Sequence, residues 1–183
     1  MHREWRHPLW LGLLVAASVA FSLGLACAVP FAAFAAAAAQ SLSRRDALIL
    51  ILLVCLANQL VGFTVLHYPW TLSTFTWGVV LGAVAVLATW ASQWIAGRLV
   101  DARQAFTVTA TFLIAFALYE AGLFAVSATL LGGTEIYTAA IQGRIFTINA
   151  AAFVGLLALN RLATSVGLVN RPTVALSMKE QHV

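Results

Sequence analysis

Hydrophobic residues occupy the chain in long runs, and the few polar clusters between them divide it into segments. The first run extends from Pro8 to Ser43 without a charged residue. As one straight helix it would measure about 54 Å, whereas the hydrocarbon core of a bilayer is about 30 Å thick. Pro30 interrupts helical hydrogen bonding within this run. We therefore predict a first helix over residues 9–28 and a short second helix over residues 31–42.

Turn signals delimit the later helices. The second uncharged run, residues 47–97, is divided at 67–70 by a proline with interfacial aromatic residues, and a polar loop follows at 98–104. The pair Gly132 and Gly133 is a helix-stop signal. We predict four more helices, over residues 47–66, 72–96, 106–131 and 145–165, and a tail over 170–183. The expected fold is one all-α polytopic membrane domain, residues 1–183, with six transmembrane helices.

The second helix is too short to cross a membrane unaided. Twelve residues reach only about 18 Å along a helix axis. This helix must therefore be tilted or shielded by its neighbours. Its alanine tract, residues 35–39, is typical of helices that pack closely in membranes.

Composition supports the membrane interpretation and excludes a soluble domain. The chain is 62% hydrophobic and 9% charged, whereas soluble domains are about 25% charged. A net charge of +4 does not indicate nucleic-acid binding, because the basic residues are scattered and do not form a stripe with aromatic residues. Cys27 and Cys55 lie in apolar runs without metal-ligand spacing, and we interpret them as small packing residues.

The basic residues orient the chain in the membrane. With six crossings, nine of the ten Lys and Arg residues fall on one face and Arg144 alone falls on the other. With five crossings the division is seven against three. The positive-inside rule therefore favours six spans with both termini in the cytoplasm, in the inner (plasma) membrane. The nine residues are Arg3, Arg6, Arg44, Arg45, Arg98, Arg103, Arg161, Arg171 and Lys179.

Glu120 is the first candidate for a functional role. It lies near the middle of the predicted fifth helix, where insertion of an acidic side chain costs about 3 kcal/mol. A polar group at this depth is a functional candidate by default. Two interpretations stay open, one in which Glu120 binds a substrate or carries a proton, and one in which it is a buried carboxyl bonded to a helix neighbour.

Three amide side chains are further candidates. Asn58 and Gln59 are adjacent on the third helix, and since consecutive residues point about 100° apart, we expect at most one of them to face a cavity squarely. Asn149 lies on the sixth helix. Each of the three is either a ligand-binding group or a hydrogen bond between helices, worth about 0.6 kcal/mol on average in membranes.

The predicted outer loops carry the remaining polar candidates. His67 and Tyr68 lie at one outer turn, and Trp77 lies within the fourth helix about two turns away. Arg144 is the single basic residue on the predicted outside and is suited to an anionic or carbonyl-bearing ligand. It is equally suited to pairing with Glu135 or to contacting lipid headgroups.

Small residues on the first helix form a stripe. Ala16, Ala20 and Gly24 recur every four positions and would allow a second helix to approach closely. Internal packing and docking of a partner helix are both consistent with this pattern. The sequence contains no Walker A loop to power transport and no recognisable catalytic set, so we predict that the chain is not an enzyme and needs no cofactor.

The arrangement resembles the substrate-binding S components of energy-coupling factor transporters. The similarity covers residues 9–95 and consists of short motifs: Val29-Pro30-Phe31-Ala32-Ala33-Phe34, the pair Arg44-Arg45, Leu56-Ala57-Asn58-Gln59-Leu60-Val61-Gly62-Phe63, and the turn His67-Tyr68-Pro69-Trp70. Residues 96–183 match by the number of spans alone. The small residues along the first helix also fit this family.

The resemblance implies a membrane subunit that captures a vitamin or vitamin precursor from outside. A transmembrane coupling protein and ATPases, docked through the first helix at Ala16, Ala20 and Gly24, would complete the transporter. A metal substrate is disfavoured, because the N-terminus departs from the metal-binding branch. The alternative is a non-enzymatic accessory or assembly subunit of a larger membrane complex. The implied substrate-binding residues are Asn58, Gln59, His67, Tyr68, Trp77, Glu120, Arg144 and Asn149.

Overall fold

The chain is all-helical. We describe a computed structural model over residues 5–25, 29–99 and 102–169, and these residues contain no β-strand. A π-helical turn, Ser127–Leu131, extends the fifth helix, and a short 3-10 helix, Thr134–Ile136, follows it. The six α-helices are α1 (Arg6–Leu25), α2 (Phe31–Ser41), α3 (Arg44–Thr64), α4 (Leu72–Arg98), α5 (Gln104–Val126) and α6 (Ala139–Ser165).

Five of these helices are long and apolar enough to cross a membrane, and α2 is a shorter apolar helix. The chain is therefore a multi-pass membrane protein by length and composition of its helices. Side chains of every long helix are exposed on its outer surface, including Leu52, Leu87 and Val154. Such residues suit contact with lipid.

The short helix α2 lies in the centre of the bundle. It packs against α3, α4, α5 and α6, and Phe21 of α1 contacts Phe34 edge to face at 6.1 Å. Residues Phe31 to Ala38 are all buried. The predicted shielding is thus present, and the alanine side chains let four neighbouring helices approach the backbone of α2.

Side chains from other helices form hydrogen bonds with a backbone group at each end of α2. At its beginning, the backbone N–H of Ala33 donates to Asn149 Oδ1 on α6 at 3.2 Å. At its end, Gln93 of α4 donates to the Leu42 carbonyl at 3.3 Å. The side chain of Gln40, which belongs to α2 itself, donates to the Thr111 hydroxyl of α5 at 3.0 Å and ties the two helices together. Free backbone groups at a helix end are costly away from water. These contacts explain how a helix of this length remains inside the bundle.

Helices α1, α3, α5 and α6 all begin earlier than the sequence pattern predicts, and side-chain caps explain this for α3 and α6. Helix α6 begins at Ala139, not residue 145, because the Thr138 hydroxyl accepts from the Ile141 N–H. Helix α3 begins at Arg44, not residue 47, because Ser43 accepts from the Asp46 N–H in the same way. Ser43 and Thr138 are N-cap residues, and each stabilises a first helical turn that contains polar side chains. The predicted end of the first helix at 26–28 and the tail at 170–183 lie outside the described residues.

The bundle has two chemically different ends. At one end, the His7 ring of α1 lies 3.1 Å from Asp46 of α3, and Arg98 stacks over Trp94 with its guanidinium carbon 4.6 Å from the ring centroid. Arg6, Arg44, Arg45, Arg103 and Arg161 belong to this end by their positions in the helices. Arg144, near the start of α6, belongs to the other.

Candidate functional site

The end of the bundle that carries Arg144 contains a cavity of about 720 Å³. Its floor is the beginning of α2, at Val29 and Phe31, and its walls come from α3, α4, α5 and α6. The eleven residues of α2 span about 17 Å of a hydrocarbon core that is about 30 Å thick. Helix α2 therefore leaves part of that thickness free, and the cavity lies against its first residue, Phe31. Its volume lies in the range of about 300–1,000 Å³ found for small-molecule sites.

Seven of the eight side chains predicted from the sequence line this one cavity. His67 is the exception. It is exposed, and its φ of 54° places it in the left-handed conformation just after α3, where it helps to reverse the chain. The seven lining residues are Asn58, Gln59, Tyr68, Trp77, Glu120, Arg144 and Asn149.

Asn58 and Gln59 both line the cavity, although we expected at most one to face it. They contact different neighbouring helices. Asn58 is buried and accepts a hydrogen bond at 3.3 Å from Ser22 on α1, whereas Gln59 lies across Gly78 on α4, where a Cβ atom would come within 2.7 Å of the Gln59 amide. The cavity is wide enough to reach both side chains despite the angle between them.

Tyr68 reaches the cavity because the chain folds back after α3. Its backbone N–H donates to the Gly62 carbonyl at 3.0 Å. The Tyr68 ring then packs against Gly62, where a Cβ atom would come within 2.5 Å of the ring. The glycine therefore provides the space that this tyrosine needs, and the ring also meets Phe63 edge to face at 6.4 Å.

Glu120 lies on the α5 wall, partly buried, and its carboxyl interacts with the side-chain amide of Gln142 on α6. The preceding residue, Tyr119, is buried and packs its ring 5.9 Å from that of Phe31. Glu120 is therefore close to the level at which α2 begins. The carboxylate faces a cavity and not lipid, as is usual for ionisable residues within membranes.

The loop between α5 and α6 folds back over the cavity. Tyr137 packs its ring edge to face at 5.0 Å from Phe124, seven residues before the end of the π-helical turn at Leu131, which is about 10 Å along a helix. Ile136 and Tyr137 line the cavity from this loop. Burial raises the pKa of the Tyr137 phenol above its ordinary value. The phenol is therefore protonated at neutral pH and can both donate and accept hydrogen bonds.

Two glycines make this reversal possible. Gly132 has φ 74° and ψ −172°, and Gly133 has φ 90° and ψ 24°. The first combination belongs to a region that is populated almost exclusively by glycine. The second is left-handed and strongly favours glycine.

We expect Gly132→Ala to destabilise the protein by about 2 kcal/mol, because alanine cannot adopt the Gly132 backbone conformation without strain. Unfolding in detergent, followed by loss of helical circular dichroism, would measure the effect. Gly143→Ala is the matched control, since Gly143 is helical and nothing lies within 4 Å of an added Cβ atom. It should leave stability unchanged or raise it slightly. Equal stability of the two variants would contradict the role assigned to Gly132.

Arg144 lines the cavity but is exposed. Across the part of the chain that the structure describes, no ion pair joins it to Glu135 or to another acidic side chain. The pairing with Glu135 that the sequence allowed is therefore not formed. Arg144 is left available to a molecule in the cavity or to lipid headgroups.

The small residues of α1 face outward. Ala16, Ala20 and Gly24 are exposed, and Gly12 extends the stripe by one more step of four. Nothing lies within 4 Å of a Cβ atom added at Gly12 or Gly24. The stripe therefore does not pack against another helix of this chain, and docking of a partner helix is the interpretation that remains.

The cavity also contains residues that the sequence did not single out for binding. Gln142 and Tyr137 lie in the same predicted loop as Arg144, so the concentration of polar side chains there was a usable signal. Thr74, on α4, gave a weaker signal. The apolar lining residues give no signal in the sequence, because in a membrane protein most positions are apolar. They are Val29, Phe31, Leu81, Leu123, Ile136, Ile141, Ile145 and Ile148.

Known proteins add no further assignment. Comparisons with the models of protein families, with curated proteins and with solved structures yield no match for this chain. Among residues 5–25, 29–99 and 102–169, no three His, Cys, Asp or Glu side chains are grouped so as to hold a metal ion.

Proposed function

We propose that this protein is the substrate-capturing membrane subunit of a small-molecule uptake transporter, and that its substrate is a vitamin or vitamin precursor. The observation that carries the proposal is the cavity above α2. It combines apolar and aromatic walls with a few converging polar groups, which is the usual composition of a small-molecule site. A bundle with α3, α5 and α6 packed solid would have no place for a substrate.

The distribution of charge supports an outward-facing cavity. Arg6, Arg44, Arg45, Arg98, Arg103 and Arg161 belong to the end of the bundle opposite the cavity. Basic residues accumulate on the cytoplasmic side of membrane proteins. In the proposed orientation both termini are cytoplasmic, the membrane is the inner (plasma) membrane, and the cavity opens to the outside.

Energy for transport would come from other subunits. The sequence has no Walker A loop, so the chain itself has no recognisable means of using ATP. A transmembrane coupling protein and ATPase subunits are the proposed partners. The exposed stripe Ala16, Ala20 and Gly24 on α1 is the proposed docking face, because small residues let a partner helix approach closely.

The same stripe also favours the second candidate function, a non-enzymatic accessory or assembly subunit of a larger membrane complex. In that function the α1 face is the essential surface and the cavity needs no ligand. Co-purification with a membrane complex that lacks coupling ATPases would establish this alternative.

The proposed function predicts that the protein retains a small molecule through purification and that Ile148→Trp removes it. The larger side chain would occupy the cavity that Ile148 lines. Mass spectrometry of material released by denaturation would measure retention, which we expect to fall at least about tenfold, as loss of favourable burial and contacts predicts. Uptake of the identified compound would be assayed in cells that co-express the coupling protein and ATPases.

Val154→Trp is the matched control, since Val154 lies on the exposed face of the same helix and should leave retention unchanged. If no compound is retained and co-expression gives no uptake, the transporter proposal is contradicted. Equal retention by the two variants would place the bound compound outside this cavity.

A further inference from the structure

The cavity contains one acidic and one basic side chain that do not neutralise each other. Glu120 contributes from α5 and Arg144 from α6. Within the described ranges 5–25, 29–99 and 102–169, the recorded ion pair is that of His7 with Asp46, at the opposite end of the bundle. The two charges at the cavity are therefore both without an ionic partner among those residues.

The helical positions explain why Glu120 and Arg144 stay apart. Gln142 and Arg144 are two residues apart on α6, which places their side chains about 200° apart around the helix. Because Gln142 interacts with Glu120, Arg144 projects from the other edge of the α6 surface. Both charged residues line the cavity, and the helical angles place Ile145 and Ile148, which also line it, between Gln142 and Arg144 on the α6 surface.

A ligand with one charge would meet only one of these groups. A cation would pair with Glu120 and leave Arg144 without a partner, and an anion would do the reverse. Glu120 is partly buried, and a charge in such a setting is costly when unpaired. Arg144 is exposed, and its gain comes from charge-assisted hydrogen bonds, which are the strongest polar contacts available. A molecule that carries both charges at opposite ends of an apolar body satisfies both groups together.

We propose that the cavity selects zwitterionic molecules with a ring-bearing apolar body, whose cationic end pairs with Glu120 and whose anionic end pairs with Arg144. This inference rests on the proposed function and specifies the chemical class of its substrate. Aromatic rings of Phe31, Trp77, Tyr119 and Tyr137 line the same cavity and suit a planar body.

The test uses a series of probes that differ only in their end groups. The zwitterion is 4-(aminomethyl)benzoate, the cation is 4-methylbenzylamine, the anion is 4-methylbenzoate, and the neutral member is 1,4-dimethylbenzene. A second series carries the same end groups on a biphenyl body, which increases the distance between the two charged groups. Calorimetry with the full chain in lipid nanodiscs would measure each affinity. We expect a zwitterion to bind at least about tenfold more tightly than any other member of its series, since each lost charged contact weakens binding by this order.

Two variants test which charged end of the ligand pairs with Glu120 and which pairs with Arg144. Glu120→Gln should weaken zwitterion and cation binding about tenfold and leave the anion unaffected, whereas Arg144→Gln should weaken zwitterion and anion binding and leave the cation unaffected. The matched controls are Glu135→Gln, an exposed acid in the neighbouring loop, and Arg161→Gln, an exposed arginine at the other end of α6. Both controls should bind every probe as the unaltered protein does.

The outcomes separate this inference from the function on which it rests. If the zwitterion binds no better than the singly charged or neutral members in either series, or if neither variant changes the order of affinities, the zwitterion assignment is overturned. Failure of every probe to bind also overturns it. The transporter proposal survives these results if the protein still retains a compound that Ile148→Trp removes. If the protein retains no such compound, the transporter proposal fails as well.

Discussion

Replacing Ala36 with leucine is expected to destabilise the protein by about 3 kcal/mol, at the upper end of the usual cost of overpacking a core. Ala36 is fully buried in the middle of α2, and α2 is packed against four other helices. Residues Phe31 to Ala38 are all buried, so the added atoms can be accommodated only by moving a neighbouring helix. The expected result is a large loss of folded, monodisperse protein in detergent, measured by size-exclusion chromatography and thermal unfolding.

Ala151→Leu is the control for this prediction. Ala151 is an exposed residue of α6, and leucine at a lipid-facing position of a transmembrane helix is favourable. This variant should fold as well as the unaltered protein. If Ala36→Leu and Ala151→Leu are equally stable, α2 cannot be the closely packed centre of the bundle.

Replacing Asn149 with leucine is expected to cost about 2 kcal/mol, the penalty for leaving a buried donor without its acceptor. The side chain is buried, and its Oδ1 accepts from the Ala33 N–H in the first turn of α2. Leucine has a similar size but provides no acceptor. Chemical unfolding in detergent, together with faster hydrogen exchange of the Ala33 amide, would measure the loss.

Asn160→Leu provides a matched comparison on the same helix. The Asn160 Oδ1 atom is buried and accepts no hydrogen bond from the described part of the chain. Replacing this side chain with leucine removes an unsatisfied group, so stability should be unchanged or increased. Equal destabilisation by the two substitutions would show that Asn149 acts through general packing and not through the end of α2.

The two asparagines illustrate how far sequence reasoning extends. Both lie in α6, and a polar side chain in an apolar helix is a functional candidate by default. The sequence supports Asn149 as either a ligand-binding group or a link between helices. The structure places it in both settings, since it bonds to α2 and also lines the cavity. The partner, Ala33, is more than a hundred residues away in the chain, and its N–H carries no signal in a side-chain pattern.

The charged candidates were more predictable than the apolar ones. Glu120 and Arg144 departed from the surrounding apolar pattern, and both line the cavity. Phe31 and Ile148 line it too, yet they resemble residues throughout the bundle. His67 was predicted together with Tyr68 because the two are adjacent in sequence, but it is not among the side chains that line the cavity. The left-handed backbone at His67 instead separates the two side chains.

The sequence by itself determined that this protein is helical and crosses a membrane. It also determined the positions of most helices along the chain and showed that α2 is too short to span. These properties depend on the local cost of burying charges and backbone groups in hydrocarbon, which each segment meets with its own residues. The tertiary structure decided that α2 is enclosed by four helices, that the space above it is a cavity, and that the small-residue face of α1 remains exposed. Those outcomes depend on packing between residues far apart in the chain, and local hydrophobicity does not specify which faces meet.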